Sequence, residues 1–309
     1  MNFVSTKGTF QSSSGLSAIS YLKYVPASGE VKAVMQIAHG MAEHKERYEN
    51  FAEYLCSIGV AVYINDHLGH GESVASKDDL GYFGEMGYNV MVEDCALLTD
   101  IAKEEYPAIP YIIFGHSMGS FVVRNYLAKY GDKVDSAIIC GTGGSNPACG
   151  IGIALTKMIA KFNGGDRYRS KFVDNLAFGT YGKRFEHRTN FDWLTKDKDV
   201  VDKYIADEYC GFLFTCNGFI GLFNALKNAS SKECFDNTPN IPILMISGEE
   251  DPVGNYGKGV ISVYDHFVAS EHSNVELRLY PNARHEILNE SDTVEKVYQD
   301  INEFISNQL

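Results

Sequence analysis

The chain has 309 residues, 45% of them hydrophobic and 12% aromatic, which supplies a sizeable buried core and excludes a mainly disordered chain. Its formal net charge is −13 at pH 7, the reverse of the clustered basic face that nucleic-acid phosphates require and no help toward anionic lipid surfaces. A partner that is neither nucleic acid nor strongly anionic is expected.

The opening Met1-Asn2-Phe3-Val4-Ser5-Thr6-Lys7 lacks the charged-then-apolar pattern of a secretory signal, so a cytoplasmic location is expected. Short β-branched runs then alternate with helical patterns. Val31 to Ala38 reads as a buried strand running into His39-Gly40. Arg47 to Ile58 reads as a helix with Tyr48, Phe51, Ala52, Leu55 and Ile58 on one face and Gly59 as its stop. Val60 to Asn65 is the next strand, Asn89 to Glu105 a helix ended by Tyr106-Pro107, and Tyr111 to Gly115 a strand that turns at once into a helix over Met118 to Tyr130. Asp135 to Cys140 follows as a strand closed by Gly141-Thr142-Gly143-Gly144.

From about 145 to 240 that rhythm breaks. The interval holds helical stretches, many aromatics and Trp193, but no convincing strand. Its greasiest part, Gly211 to Leu226, is interrupted by Asn217 and Asn224 and is too short to span a bilayer. Alternation resumes with a strand over Pro242 to Ser247, a helix over Gly259 to Ala269, a strand over Val275 to Tyr280 and a closing helix over Thr293 to Ile305. A mostly parallel sheet with helices on both faces is expected. Residues 1–144 and 241–309 would form this core. Residues 145–240 would be a mainly helical cap inserted above the strand ends, where open α/β sheets bind ligands. The seven cysteines (Cys56, Cys95, Cys140, Cys149, Cys210, Cys216, Cys234) are odd in number and lack CxxC spacing. They read as reduced, small hydrophobes.

Gly115-His116-Ser117-Met118-Gly119 matches G-x-S-x-G. At this composition such a string arises by chance about 0.2 times per chain, so the match alone is weak. Its place between an apolar strand and a helix is what gives it weight, because that setting presents a serine Oγ at a strained turn. A serine needs a general base, and the base an orienting carboxylate. Asp251 follows the strand ending at Ser247, with Glu249 and Glu250 as rival acids, and His285 follows the strand ending at Tyr280. The order serine, acid, histidine, each after a later strand, is that of α/β-hydrolases. His39, His67, His70 and His116 also fall on strand-end loops, but none follows the acid. The developing oxyanion would be held by the backbone amides of Met118 and of Met41 in His39-Gly40-Met41.

These strings are familiar together. His39-Gly40-Met41-Ala42-Glu43-His44 with Arg47-Tyr48, Asp66-His67-Leu68-Gly69-His70-Gly71-Glu72-Ser73, the serine turn, Asp251-Pro252-Val253 and Arg284-His285-Glu286-Ile287-Leu288-Asn289-Glu290 resemble the monoacylglycerol lipase/lysophospholipase-like serine hydrolases. Phe191-Asp192-Trp193-Leu194-Thr195, Asp207 and Cys210-Gly211-Phe212 resemble the cap of the same group, so the likeness covers nearly the whole chain in order. Two positions depart from it: Ala42 stands where glycine is frequent, and Ser120 where a second glycine is common.

The resemblance implies the α/β-hydrolase fold and hydrolysis of a carboxylic ester, foremost a monoacylglycerol or lysophospholipid-like single-chain lipid. A short-chain esterase, thioesterase or amidase using the same triad stays open, as does a non-catalytic binding module. Phe212, Phe214, Phe219 and Phe223, with Leu213, Ile220 and Leu222, would line an acyl slot or simply pack the cap. Ile151 to Phe162 is amphipathic and suits either a packed cap helix or weak contact with a membrane surface. His67 and His70 lack a ligand set at metal spacing, and no phosphate-binding glycine pattern occurs. No metal or nucleotide cofactor is expected.

Overall fold

The computed structural model describes residues 3–309; Met1 and Asn2, part of the segment searched above for a signal, lie outside the described residues. Strands β1 (Phe3–Gln11) and β2 (Ala18–Pro26) form an antiparallel hairpin at one edge of an eight-stranded sheet. β2 pairs antiparallel with β4 (Val60–Asn65). From there the sheet is parallel, through β3 (Ala33–Ala38), β5 (Tyr111–His116), β6 (Ser136–Cys140), β7 (Ile243–Gly248) and β8 (Val275–Tyr280), in the order β1-β2-β4-β3-β5-β6-β7-β8. β3 to β7 are buried along their whole length, as continuous apolar runs covered on both faces must be.

Alternate residues of each strand feed two cores. Met35, Ile37, Val62, Ile64, Phe114, Ile138 and Ile246 point to one face, where they meet helices α1 (Glu49–Ser57) and α10 (Val294–Ser306) through Phe51, Leu55, Ile301 and Phe304. Val34, Ala61, Tyr63, Ile113, Ile139 and Met245 point to the other, against α2 (Asn89–Glu105), α3 (Met118–Tyr130) and α9 (Lys258–Ala269). The remaining helices, α4 (Ala148–Phe162), α5 (Lys171–Phe178), α6 (Lys198–Ala206), α7 (Cys216–Ala229) and α8 (Lys232–Asn237), all lie between β6 and β7. No strand occurs there among the described residues. Phe219, Leu222, Ala225 and Ala229 of α7 and Phe235 of α8 join the core cluster that includes α3.

β4, β8, α2 and α3 coincide with the runs expected from sequence, and the other core elements differ by one or two residues at their ends. Two features differ more. The N-terminal hairpin was not expected. The helix expected from Arg47 is a short 3₁₀ turn over Lys45–Tyr48 followed by α1. All seven cysteines are free and buried.

Candidate active site

Ser117 sits between β5 and α3 at φ 55°, ψ −121°, a left-handed conformation costly for a residue with a Cβ. The chain can turn so tightly only because its neighbours are glycine. A Cβ on Gly119 would lie 2.0 Å from the carbonyl oxygen of Ala38, and one on Gly115 would lie 2.5 Å from that of Gly119. Ser120 closes the turn, its Oγ donating to the Ser117 carbonyl at 2.5 Å and contacting Thr142 Oγ1 at 2.8 Å. The second residue that departs from the family pattern is thereby absorbed locally. Met118 is the first residue of α3, so its amide has no intrahelical acceptor and points out of the helix end.

His285 lies beyond β8 and is 2% exposed. Its Nδ1 is 2.9 Å from Oδ2 of Asp251, which is fully buried. Asp251 Oδ1 accepts the Val253 amide at 2.8 Å, and Ser247 Oγ donates to Oδ2 at 3.3 Å. The rival acids turn away: Glu249 is exposed and Glu250 half-buried. Two aromatic rings hold the imidazole, Trp193 at 5.2 Å and His116 at 4.7 Å between centroids. Arg284, the preceding residue, donates to the carbonyl of Asp192 at 2.5 Å and to Glu186 at 2.7 Å, tying the histidine loop to the residues between β6 and β7.

The loop after β3 comes to the same place. Gly40 is so close to the serine that a Cβ on it would stand 3.2 Å from Ser117 Cβ. Its amide donates to Glu43 Oε1 at 2.5 Å, and Glu43 also accepts from Tyr48 Oη at 2.9 Å and Arg47 Nη1 at 2.5 Å. Arg47 in turn forms a two-pronged pair with Glu286, at 2.9 and 2.8 Å, beside His285. Burial alone would raise the Glu43 carboxyl, yet Arg47 and His116 hold it well below the usual carboxylate range. Burial opposes charge on His116, but Glu43 outweighs it and raises the imidazole. This charged brace joins the β3 loop to the histidine loop. The i,i+4 spacing of Glu43 and Arg47 could have signalled their pair, but nothing in the sequence announces Glu286 as the third member, nor the packing of Trp193 on His285. Ala42 takes φ 51°, which explains why glycine suits that position.

Behind the loop, the rings of His39, His67 and His70 cluster, with His39–His67 centroids 4.3 Å apart. His39 Nδ1 donates to the Gly40 carbonyl at 2.8 Å and Nε2 accepts the His67 amide at 3.0 Å, so one imidazole fixes two loops. Asp66 braces the second loop by accepting from the Lys45 amide, Lys45 Nζ and the Glu72 amide. His67 and His70 belong to no set of three metal-ligating side chains among the described residues.

Burial lowers His67 to about 4 and His70 to about 3, and burial with both neighbours lowers His39 well below 6.5. Below pH 6.5 the unfolded chain takes up these protons and the folded one does not, so stability falls with pH. Each buried imidazole contributes up to about 1.4 kcal/mol per pH unit. His44 and His116, which burial opposes but Cys210, Glu46 and Asp207 raise in the first case and Glu43 in the second, act with the opposite sign: they add stability as pH falls toward 6.5, so the drop is steepest between pH 6 and 5. Urea denaturation at pH 7, 6 and 5 is expected to show stability dropping steeply before the carboxylates titrate. A flat profile across that window would rule the cluster out as its cause.

A cavity of about 1090 Å³ opens over Ser117 and His285. Met41 and Met118 border it at the serine end. Phe212, Leu213, Leu222, Phe223, Leu226 and Ile151 supply apolar wall from the β6–β7 interval. Of the four phenylalanines expected in a slot, Phe212 and Phe223 line the cavity. Phe214 and Phe219 do not: both are fully buried and pack into the core, Phe214 edge-on to Phe83 at 5.2 Å and Phe219 tilted against Phe214 at 5.9 Å. Phe219 and Phe223 are one helical turn apart on α7, and the turn carries the second ring from the core to the cavity.

A family model described as Serine aminopeptidase, S33 matches residues 29–292. The chain is 29% identical over 290 residues to the monoacylglycerol lipase of Mycolicibacterium smegmatis, covering 90% of this chain and 89% of that protein. It is 25% identical over 294 residues to the human monoglyceride lipase, covering 93% and 87%. Among solved structures, a thermostable carboxyl esterase from Bacillus coagulans superimposes with a TM-score of 0.92 at 31% identity, covering 98% of each chain. The eight-stranded sheet and these likenesses give the α/β-hydrolase fold.

Proposed function

Since the chain belongs to the Serine aminopeptidase, S33 family and is a carboxylic ester hydrolase of the monoacylglycerol lipase-like kind, we propose that it cleaves single-chain acyl esters of glycerol through an acyl-enzyme on Ser117. In this reading Ser117 Oγ attacks the ester carbonyl while His285 takes its proton, and Asp251 holds Nδ1–H so that Nε2 is the free base. The amides of Met41 and Met118 donate to the oxyanion. The imidazolium then gives its proton to the leaving alkoxide, and water, deprotonated by the same histidine, releases the acid. The observation that carries the reading is the 2.9 Å contact of His285 with Asp251 beside Ser117, with serine and histidine both on the cavity.

Residues 145–240 act as the cap over the 1–144 and 241–309 core, and their apolar contribution to the cavity wall supports an acyl chain there rather than a polar ligand. Exposed Met158 and Phe162 on α4 and Phe172 on α5 support weak contact with lipid aggregates. Among the described residues no helix is long and apolar enough to cross a membrane.

The test is a panel of p-nitrophenyl esters from acetate to palmitate beside 1-monoacylglycerols, a lysophospholipid and an aminoacyl anilide, with Ser117 labelling by a fluorophosphonate. Turnover of medium or long monoacylglycerols above the other classes is expected. Activity on acetate alone would reduce the enzyme to a short-chain esterase, and anilide cleavage above ester cleavage would make it an amidase. Phe162→Asp with Phe172→Asp is expected to lower turnover of aggregated monoacylglycerol several-fold while leaving a soluble butyrate ester unchanged. Equal loss on both would remove the aggregate contact from the proposal.

A further inference from the structure

The loop that carries Met41 continues into His44, whose ring faces the turn after α6. His44 Nε2 is 2.8 Å from Asp207 Oδ2, and a ring nitrogen, that carboxylate and Cys210 Sγ all lie within 4.8 Å of one another. His44 and Cys210 are buried, while the Asp207 side chain is 34% exposed, so the group is closed on one side and open to solvent on the other. The turn is already shaped: Asp207 Oδ1 accepts the Tyr209 amide at 2.8 Å, which aims Oδ2 at His44, and the Cys210 amide donates to the Asp207 carbonyl at 3.1 Å. On the far side of the ring, Nδ1 meets Glu46 Oε2 at 3.4 Å. A carboxylate on the non-ligating nitrogen is the recurrent outer partner of a metal-bound histidine.

We infer that His44, Asp207 and Cys210 form a zinc site, closed by a water in the fourth position. The donor set of one imidazole, one carboxylate and one thiolate matches a borderline-soft divalent ion and not calcium or magnesium, which take oxygen ligands. Neutral imidazole, carboxylate and thiolate together balance the charge of Zn²⁺. On binding, the Cys210 S–H proton and any proton on His44 Nε2 leave to solvent as the Zn–S and Zn–N bonds form; nothing is oxidised or reduced. Tetrahedral bonds of about 2.0–2.3 Å place these ligand atoms about 3.3–3.6 Å apart, so pairs lying within 4.8 Å close by at most about 1 Å and the His44–Asp207 pair, at 2.8 Å, opens by about half that. Such shifts are within reach of side-chain rotation.

The site would join two parts of the molecule that meet at the cavity. The Ala42 carbonyl, next to Met41, already accepts from the Gly211 amide at 2.9 Å and Tyr204 Oη at 3.0 Å. A zinc ion one step away would fasten the same loop to the β6–β7 interval through covalent-strength bonds.

Cobalt(II) titrated into the chelator-treated full chain reads the site directly. A thiolate-to-cobalt charge-transfer band with the intense d–d absorption of a four-coordinate ion is expected, saturating at one equivalent and bleached by Zn²⁺. Cys210→Ser should abolish the charge-transfer band in a chain still folded by circular dichroism. Glu46→Gln, which touches no ligand atom, should weaken zinc about 10-fold, the low end for an outer partner because Glu46 is exposed. Zinc should also raise the melting temperature of the wild type and not of Asp207→Asn. Absence of the charge-transfer band in the folded wild type, or its survival in Cys210→Ser, would overturn the assignment.

Discussion

Ser117→Ala is expected to lower kcat on a monoacylglycerol by about 10⁵- to 10⁶-fold and to leave KM and the fold in place. The change removes one oxygen at the mouth of the cavity. The turn that presents it depends on Gly115, Gly119 and the Ser120 hydroxyl, all untouched, and alanine takes φ 55° no worse than serine does. What remains is the proposed oxyanion pair and the cavity, which by themselves would give a small residual acceleration. Steady-state hydrolysis with a fluorophosphonate label read by mass spectrometry checks this. Activity within tenfold of wild type would mean that another nucleophile does the chemistry.

Asp251→Asn should cost about 10⁴-fold in kcat with near-normal stability. Asp251 Oδ1 accepts the Val253 amide, which an asparagine oxygen can keep, and that choice turns the side-chain NH₂ toward His285. A donor facing Nδ1 forces the proton onto Nε2, and the base then has no lone pair for Ser117. Ser247 Oγ, which donates to Oδ2, loses that acceptor and keeps the Gly248 carbonyl. Glu249→Gln serves as the control and should leave kcat unchanged, because Glu249 is exposed. A loss of less than tenfold in Asp251→Asn would return the orienting role to another acid.

The alternation of strand and helix was legible because each core strand is a continuous apolar run and each core helix keeps one apolar stripe. The N-terminal hairpin was not. β1, Phe3–Gln11, is mostly exposed and carries polar residues on both faces, so only pairing with β2 defines it. The turn over Lys45–Tyr48 departs from a regular helix where Lys45 is held by Asp66 and Glu72 and Arg47 by Glu43 and Glu286. Asp66, Glu72 and Glu286 come from distant loops, and no periodicity encodes them. At the site, Ser117, Asp251 and His285 could be found because each follows a strand, and strand ends converge. Trp193 lies in an interval without a repeating pattern. The aromatic stripe of α7 likewise could not say which rings would turn inward, since Phe219 and Phe223 differ only by one turn of the same helix.

The left-handed backbone at Ser117 sets selection for function against selection for durability. Holding a side chain there costs about 1–3 kcal/mol, and glycine would adopt the same angles freely. A library screened only for heat resistance would therefore favour replacing Ser117, and on the proposed mechanism its best survivors would be inactive. Directed evolution of this chain toward higher working temperature has to score turnover in every round, and its gains have to come from residues far from the serine turn.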